Sequence, residues 1–290
     1  KALQKITESY QIDKETKLPL NGIKFSLTGN DKTYEGVTDE KGELIFENLY
    51  PGRYTLIEIE TNESHSLNDQ TFDIDISYKG EEVITIDNEA KKGKLRVLKI
   101  DKDTKEPIEG VKFEILDYNT KEIIEELITN TYGIAESSEL RIDKEYILKE
   151  SWNNNKYLTC NQEYVFSLDD ENIVELEIEN EKIKGSIKIK KVDEENKQIP
   201  LSKVKFELYD NNMNLLEELE TDENGEVYSK EYPSVNEIYY LKEVKTNEKY
   251  KLNDELIKIK LIDKNVLEIL VTNKKIPEEV ETPKLPKTGK

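Results

Sequence analysis

The chain is written in short runs in which apolar and polar residues alternate. In Ile187-Lys188-Ile189-Lys190-Lys191 the odd positions are Ile, Ile and Lys, and Leu95, Val97 and Lys99 share one parity in the same way. Side chains alternate across a strand with period two, so each run predicts a half-buried strand carrying a lysine on its apolar face. Further along, Val174, Leu176, Ile178 and Asn180 share a parity, as do Leu267, Ile269, Val271 and Asn273. Between these runs, Tyr54-x-Leu56-x-Glu58, Tyr146-x-Leu148-x-Glu150 and Tyr239-x-Leu241-x-Glu243 each carry a glutamate in phase with apolar residues. Gly, Asn and Asp punctuate the runs, and no long amphipathic helical pattern intervenes. The expected fold class is all-β, one sandwich per repeat.

The repeat is threefold. Asn88, Asn180 and Asn273 recur at intervals of 92 and 93 residues, and each lies 30 residues after its glutamate. Each copy opens with a turn and strand: Pro19-Leu20-Asn21-Gly22-Ile23-Lys24-Phe25, Pro107-Ile108-Glu109-Gly110-Val111-Lys112-Phe113 and Pro200-Leu201-Ser202-Lys203-Val204-Lys205-Phe206. Each also carries Thr followed by Gly four residues on: Thr38/Gly42, Thr129/Gly133 and Thr221/Gly225. Thr38–Gly42 and Thr221–Gly225 read as hairpin turns with Gly at a positive φ. Repeats of this length are one folding unit each, which predicts domains at 1–91, 92–184 and 185–276 and an extended tail at 277–290. The short joints at Lys91-Lys92-Gly93 and Lys184-Gly185 predict a stiff rod.

Composition narrows the function. Charged residues make up 37% and hydrophobic ones 35%, near the balance of disordered chains, but the alternation and 16 tyrosines favour strands. A net charge of −20 argues against a nucleic-acid partner. The single cysteine, Cys160, excludes an internal disulfide. No apolar run is long enough to span a bilayer as a helix. No signal peptide opens the chain, which suggests a fragment or mature form.

The candidate chemistry is a lysine, a glutamate and an asparagine set on apolar faces: Lys99, Glu150 and Asn180, then Lys191, Glu243 and Asn273. Burial disfavours charge, lowering a lysine pKa and raising that of a glutamate. A neutral amine beside a neutral acid is suited to attack on the asparagine carboxamide, with the glutamate shuttling protons as ammonia leaves. Amide cross-links would close loops of 81 and 82 residues. The alternative is a buried Lys–Glu ion pair with Asn as hydrogen-bond partner; repetition of the trio at fixed spacing favours the cross-link. The first copy departs, with Gln11 in the lysine position beside Glu58 and Asn88. A Gln amide is no nucleophile, so a bond is not expected there. Lys5 or Lys14 could serve only after a register shift, and Thr7, Ser9 and Gln11 form no apolar face.

Lys99-Ile100-Asp101 with the Pro107–Phe113 motif, and Gly52-Arg53-Tyr54-Thr55-Leu56-Ile57-Glu58 with its later copies, resemble the Cna protein B-type domains of Gram-positive surface proteins. The resemblance spans nearly the whole chain. It implies a prealbumin-like, inverse-immunoglobulin sandwich and a spontaneous Lys–Asn isopeptide bond, carried by Lys99/Glu150/Asn180 and Lys191/Glu243/Asn273, and only by Glu58 and Asn88 in the first copy. Leu285-Pro286-Lys287-Thr288-Gly289 is similar to the LPXTG signal read by sortases, which implies cleavage after Thr288 and attachment to cell-wall peptidoglycan. The resemblance therefore implies a secreted, wall-anchored stalk or adhesin whose partners are a sortase, peptidoglycan and a host matrix ligand or other pilins. Two alternatives are a basal or accessory pilin and the stalk of a surface enzyme with its catalytic domain upstream. A pilus-shaft role is disfavoured because Tyr232-Pro233 is followed by Ser234 rather than Lys.

No catalytic triad, metal-ligand spacing or cofactor loop is evident, so neither enzyme activity nor a cofactor or metal is expected. His65 falls seven residues after Glu58, where Tyr157 and Tyr250 follow their own glutamates, and reads as filling an aromatic slot. Cys160 reads as a core or edge thiol and Trp152 as a packing residue.

Overall fold

The computed structural model describes residues 7–77, 82–169 and 172–278. Every regular element among them is a β-strand. The chain divides into two compact units: residues 1–100, 106–152 and 160–179, and residues 101–105, 153–159 and 180–290.

Within the first repeat, one sheet runs in the order Lys32–Val37, Lys24–Gly29, Gly52–Glu60, Thr71–Ile76, and the other in the order Glu43–Phe46, Thr7–Asp13, Glu82–Asn88. The strands of the first sheet pair antiparallel. In the second, the opening strand Thr7–Asp13 and the closing strand Glu82–Asn88 lie parallel, with Gln11 opposite Ile86 and Asp13 opposite Asn88. Ile23, Phe25, Leu27, Tyr54, Leu56, Ile74 and Ile86 are among the residues that form the core.

The third repeat is built the same way. Leu215–Glu220, Lys205–Tyr209, Glu237–Lys245 and Leu256–Leu261 make one sheet. Its opening strand Lys184–Asp193 lies parallel to the closing strand Val266–Asn273, with Lys191 opposite Val271 and Asp193 opposite Asn273. In the second repeat, Ile123–Ile128, Lys112–Asp117, Glu145–Trp152 and Glu163–Ser167 form the corresponding sheet, and Ile173–Asn180 pairs with Lys92–Asp101.

Alternation explains the burial. Along Lys184–Asp193 the residues from Gly185 to Lys191 alternate buried and half-buried, and the last three are all buried. Closing strands are enclosed only toward their C-terminal ends: Leu267 is 39% exposed, whereas Val271 and Asn273 are buried. Leu267 is therefore on the expected face but outside the core.

The Thr–Gly segments differ from the hairpins expected of them. Lys32–Val37 and Glu43–Phe46 belong to different sheets, so Thr38–Gly42 carries the chain from one sheet to the other. Gly42, Gly133 and Gly225 all have φ near +70°. A Cβ on them would lie 2.3, 2.3 and 2.4 Å from the carbonyl oxygens of Gln11, Lys99 and Lys191. Close approach to the opening strand thus demands glycine as much as the turn does. The threonine is a latch: Thr221 Oγ1 donates to the Leu201 carbonyl at 2.8 Å and accepts from the Val204 amide at 3.0 Å, and Thr38 and Thr129 make the same pair of bonds.

Candidate functional site

The first and third repeats each gather three polar residues from three strands. In the third, Lys191 comes from the opening strand, Glu243 from Glu237–Lys245 and Asn273 from the last position of the closing strand. The Lys191 amide donates to the Gly225 carbonyl at 2.7 Å, which fixes the lysine backbone against the crossing turn. Tyr239, in phase with Glu243, is held by a 2.6 Å hydrogen bond from its hydroxyl to the Pro233 carbonyl.

Lys191 is fully buried, and Glu243 and Asn273 are each 2% exposed. Lys191 Nζ donates to Asn273 Oδ1 at 2.6 Å and lies 2.6 Å from Glu243 Oε2. Asn273 Nδ2 donates to Glu243 Oε1 at 2.6 Å and to Thr246 Oγ1 at 2.9 Å. One carboxyl group therefore touches both the amine and the amide nitrogen. The Phe206 ring lies 5.7 Å from the amine and closes the site on another side. Burial pulls the Lys191 amine below its ordinary pKa, against the opposing pull of Glu243.

In the second repeat Lys99 is likewise fully buried, with Nζ 2.8 Å from Glu150 Oε2 and the Phe113 ring 5.7 Å away. Burial again lowers the amine pKa, with Glu150 acting in the opposite direction. Asn180 is buried at the end of its closing strand.

The first repeat keeps the arrangement with a different head group. Gln11 is 1% exposed, and its amide donates to the Gly42 carbonyl at 2.8 Å. Gln11 Nε2 donates to Asn88 Oδ1 at 2.6 Å. Asn88 Nδ2 donates to Glu58 Oε1 at 2.7 Å and Thr61 Oγ1 at 3.1 Å. Burial pushes the Glu58 carboxyl up, against its hydrogen bonds to Asn88, the Asn68 amide and Thr61. Lys14 is no substitute, because it is exposed and pairs with Glu89; Lys5 lies outside the described residues. The lack of an apolar face does not keep this strand at the surface. Ser9 and Gln11 are buried because their polar atoms find partners, Ser9 Oγ on the Leu44 carbonyl and Gln11 Nε2 on Asn88.

Three chain segments match the model of one family, the SpaA prealbumin-like fold domain, at residues 6–90, 93–182 and 185–275. The chain belongs to that family. No curated protein matches. Among solved structures, the Bacillus anthracis TIE protein aligns with 93% of this chain at 22% identity and a TM-score of 0.74. The chain spans about half of that protein, 51%. BcpA, the major pilin subunit of Bacillus cereus, aligns over 94% of this chain and 100% of its own at 14% identity and a TM-score of 0.42. GBS52, the minor pilin of Streptococcus agalactiae, aligns over 67% of this chain and 99% of its own at 22% identity and a TM-score of 0.31. At 22% identity the likeness to the TIE protein is one of fold.

The aromatic slot has a defined role in these SpaA repeats. Tyr250 donates its hydroxyl to Asp193 Oδ2 at 2.9 Å, and His65 Nε2 lies 2.8 Å from Asp13 Oδ2. Both rings thus reach the aspartate two residues beyond the lysine position. Trp152, read as a packing residue, is instead 43% exposed. It sits at a register shift in its strand, and Lys112 lies over its ring at 6.0 Å. Cys160 is half-buried and free.

Two features escaped sequence reasoning. Thr61 and Thr246, each three residues after its glutamate, hold the asparagine amide nitrogen; the constant offset was the available signal. Arg141 reaches Asp13 at 2.6 Å, Asp143 at 2.7 Å and Glu15 at 3.3 Å. Burial alone would raise the Asp13 carboxyl, but Arg141, the Thr16 amide and His65 hold it well below the usual carboxylate range. No local signal marks a contact between residues so far apart in the chain. The sorting motif, Leu285–Gly289, lies outside the described residues.

Proposed function

We propose that the chain is a load-bearing stalk or adhesive region of a Gram-positive surface protein, whose second and third repeats close themselves with Lys–Asn amide bonds. The observation that carries this reading is the Glu243 carboxyl, 2.6 Å from both the amine of Lys191 and the amide nitrogen of Asn273. A group so placed takes a proton from the attacking nitrogen at one oxygen and delivers one to the leaving nitrogen from the other.

The neutral Lys191 amine attacks Asn273 Cγ, whose oxygen already accepts a hydrogen bond from it. The Nζ–Cγ bond forms and the Cγ–Nδ2 bond breaks. Nδ2 leaves as ammonia, and Glu243 ends in its starting protonation state. Lys99, Glu150 and Asn180 perform the same steps.

Joining the opening and closing strands gives the second and third repeats a covalent path for tension. Force entering along Lys184–Asp193 passes through the Lys191–Asn273 bond and leaves at the end of Val266–Asn273, so residues 192–272 carry none of it. Such a device suits a protein held to the wall through Thr288 by a sortase and pulled from its other end.

Intact-mass measurement tests the chemistry. The full chain should be lighter than its sequence by two ammonia molecules, about 34 Da, and Lys99→Ala should show only one loss. An unmodified mass leaves ion pairs alone. Incubation with a sortase and an oligoglycine nucleophile tests anchoring; an intact Thr288–Gly289 bond counts against it.

A further inference from the structure

The first repeat retains everything the reaction needs except the amine. Its register is that of the third: Gln11 lies opposite Ile86 two positions before Asn88, as Lys191 lies opposite Val271 two positions before Asn273. Gln11 Nε2 donates to Asn88 Oδ1 at 2.6 Å, the same length as the Lys191–Asn273 contact. Glu58 and Thr61 hold the asparagine nitrogen as Glu243 and Thr246 do. The Gln11 nitrogen is part of an amide, so its lone pair is delocalised and does not attack Asn88.

Two buried oxygens of this cluster, Gln11 Oε1 and Glu58 Oε2, have no hydrogen-bond partner. In the third repeat Lys191 Nζ sits beside the corresponding glutamate oxygen. Burial of Glu58 favours its neutral, protonated form. The first repeat is thereby closed by a chain of neutral hydrogen bonds, from Gln11 through Asn88 to Glu58.

Load reaches this cluster in shear. The opening strand Thr7–Asp13 and closing strand Glu82–Asn88 run parallel with seven residue pairs in register. Tension on the start of the first and the end of the second slides one past the other, loading all their hydrogen bonds together. Resistance is therefore substantial, but it is made only of bonds that break and re-form.

We propose that the first repeat is the extensible element of the chain, unfolding and refolding under tension while the other two stay locked. This rests on the cross-links proposed above for Lys99–Asn180 and Lys191–Asn273. A hydrogen-bonded relay at Gln11 then marks the one repeat able to lengthen, giving a stalk of fixed strength a reversible reserve of length.

Single-molecule stretching of the full chain between its ends, on protein of known intact mass, tests this. Unfolding from Thr7 to Asn88 frees 82 residues, a contour gain on the order of 25 nm after subtracting the folded span. A chain that has lost two ammonias should show one such step per molecule, and the step should return after relaxation. Gln11→Lys molecules whose mass shows a third ammonia lost should show no step. No step in the doubly cross-linked wild type overturns the proposal, as does a step that never returns or one that persists in triply cross-linked Gln11→Lys. Three steps from a chain of unmodified mass would instead bring down the cross-link reading itself.

Discussion

Glu243→Gln is the sharpest perturbation of the third-repeat chemistry, because it keeps the shape of the side chain and removes its ability to relay a proton. In the wild type, Oε1 accepts from Asn273 Nδ2 and Oε2 faces Lys191 Nζ, both at 2.6 Å. Glutamine offers one oxygen and one NH₂ group, so one of those contacts becomes donor against donor. Losing a positioned acid–base group slows a reaction by about 10²–10⁴-fold. Freshly purified Glu243→Gln should therefore lack one of the two ammonia losses and acquire it only slowly. The unlinked repeat has an open loop of 82 residues; the chain-entropy estimate for closing such a loop is about 4–5 kcal/mol. At about 4–8 °C per kcal/mol for a domain of this size, the third repeat should melt roughly 20–35 °C lower. Calorimetry and intact mass on the same sample measure both quantities. Lys191→Met, which removes the nucleophile, should show the same drop in melting temperature and never acquire the loss. A Glu243→Gln protein that carries the full wild-type mass deficit as purified refutes the relay.

Gly225→Ala places a methyl 2.4 Å from the Lys191 carbonyl at a φ of +70°; it should cost about 1–3 kcal/mol in thermal unfolding and slow ammonia loss in that repeat by displacing the lysine. Arg141→Met leaves the buried Asp13 with His65 and two backbone amides, and should destabilise the first repeat by about 2–3 kcal/mol in urea titration at neutral pH. The first repeat should also carry a pH signature. The Glu58 pKa is raised in the folded state, so its contribution is fully present below the unfolded value, about 4.3, and is lost as pH rises through the folded value. Glu58→Gln should flatten that fall in urea titrations between pH 4 and 8. Asp13 works in the opposite sense, because its folded pKa is depressed. Its contribution is present above the unfolded value of about 3.9 and disappears at more acidic pH, and Arg141→Met should weaken that acid dependence.

The all-β fold was legible because alternation and turn residues agree in all three copies. Lys191 shares parity with Ile187 and Ile189, and a strand buried on that face has no other place for the lysine. Parity also carries Glu243 inward behind Tyr239 and Leu241. It failed at Leu267, because parity assigns a face and not a depth: that residue lies on the right side of a strand whose early part is open to solvent. The Thr–Gly segments gave their backbone geometry correctly and their role wrongly. A positive-φ glycine is compatible with a hairpin and with a crossing between sheets, and only tertiary pairing distinguishes the two.

The opening strand of the first repeat shows why polar residues can sit where an apolar pattern is expected. Its Ser9 and Gln11 would be costly to bury alone, and nothing near them in sequence offers compensation. The compensation comes from Leu44 and Asn88, 35 and 77 residues away. Site residues of this kind are specified by the repeat and not by their neighbours: the 30-residue interval from glutamate to asparagine is the same in the copy that carries Gln11 at the lysine position. In the first repeat the asparagine accepts from the glutamine and donates to the glutamate, so the same frame buries Gln11 without an amine. On the reading proposed above, a locked and a reversible repeat differ by one head group within one frame, so Gln11→Lys alone should give the first repeat a closing amide.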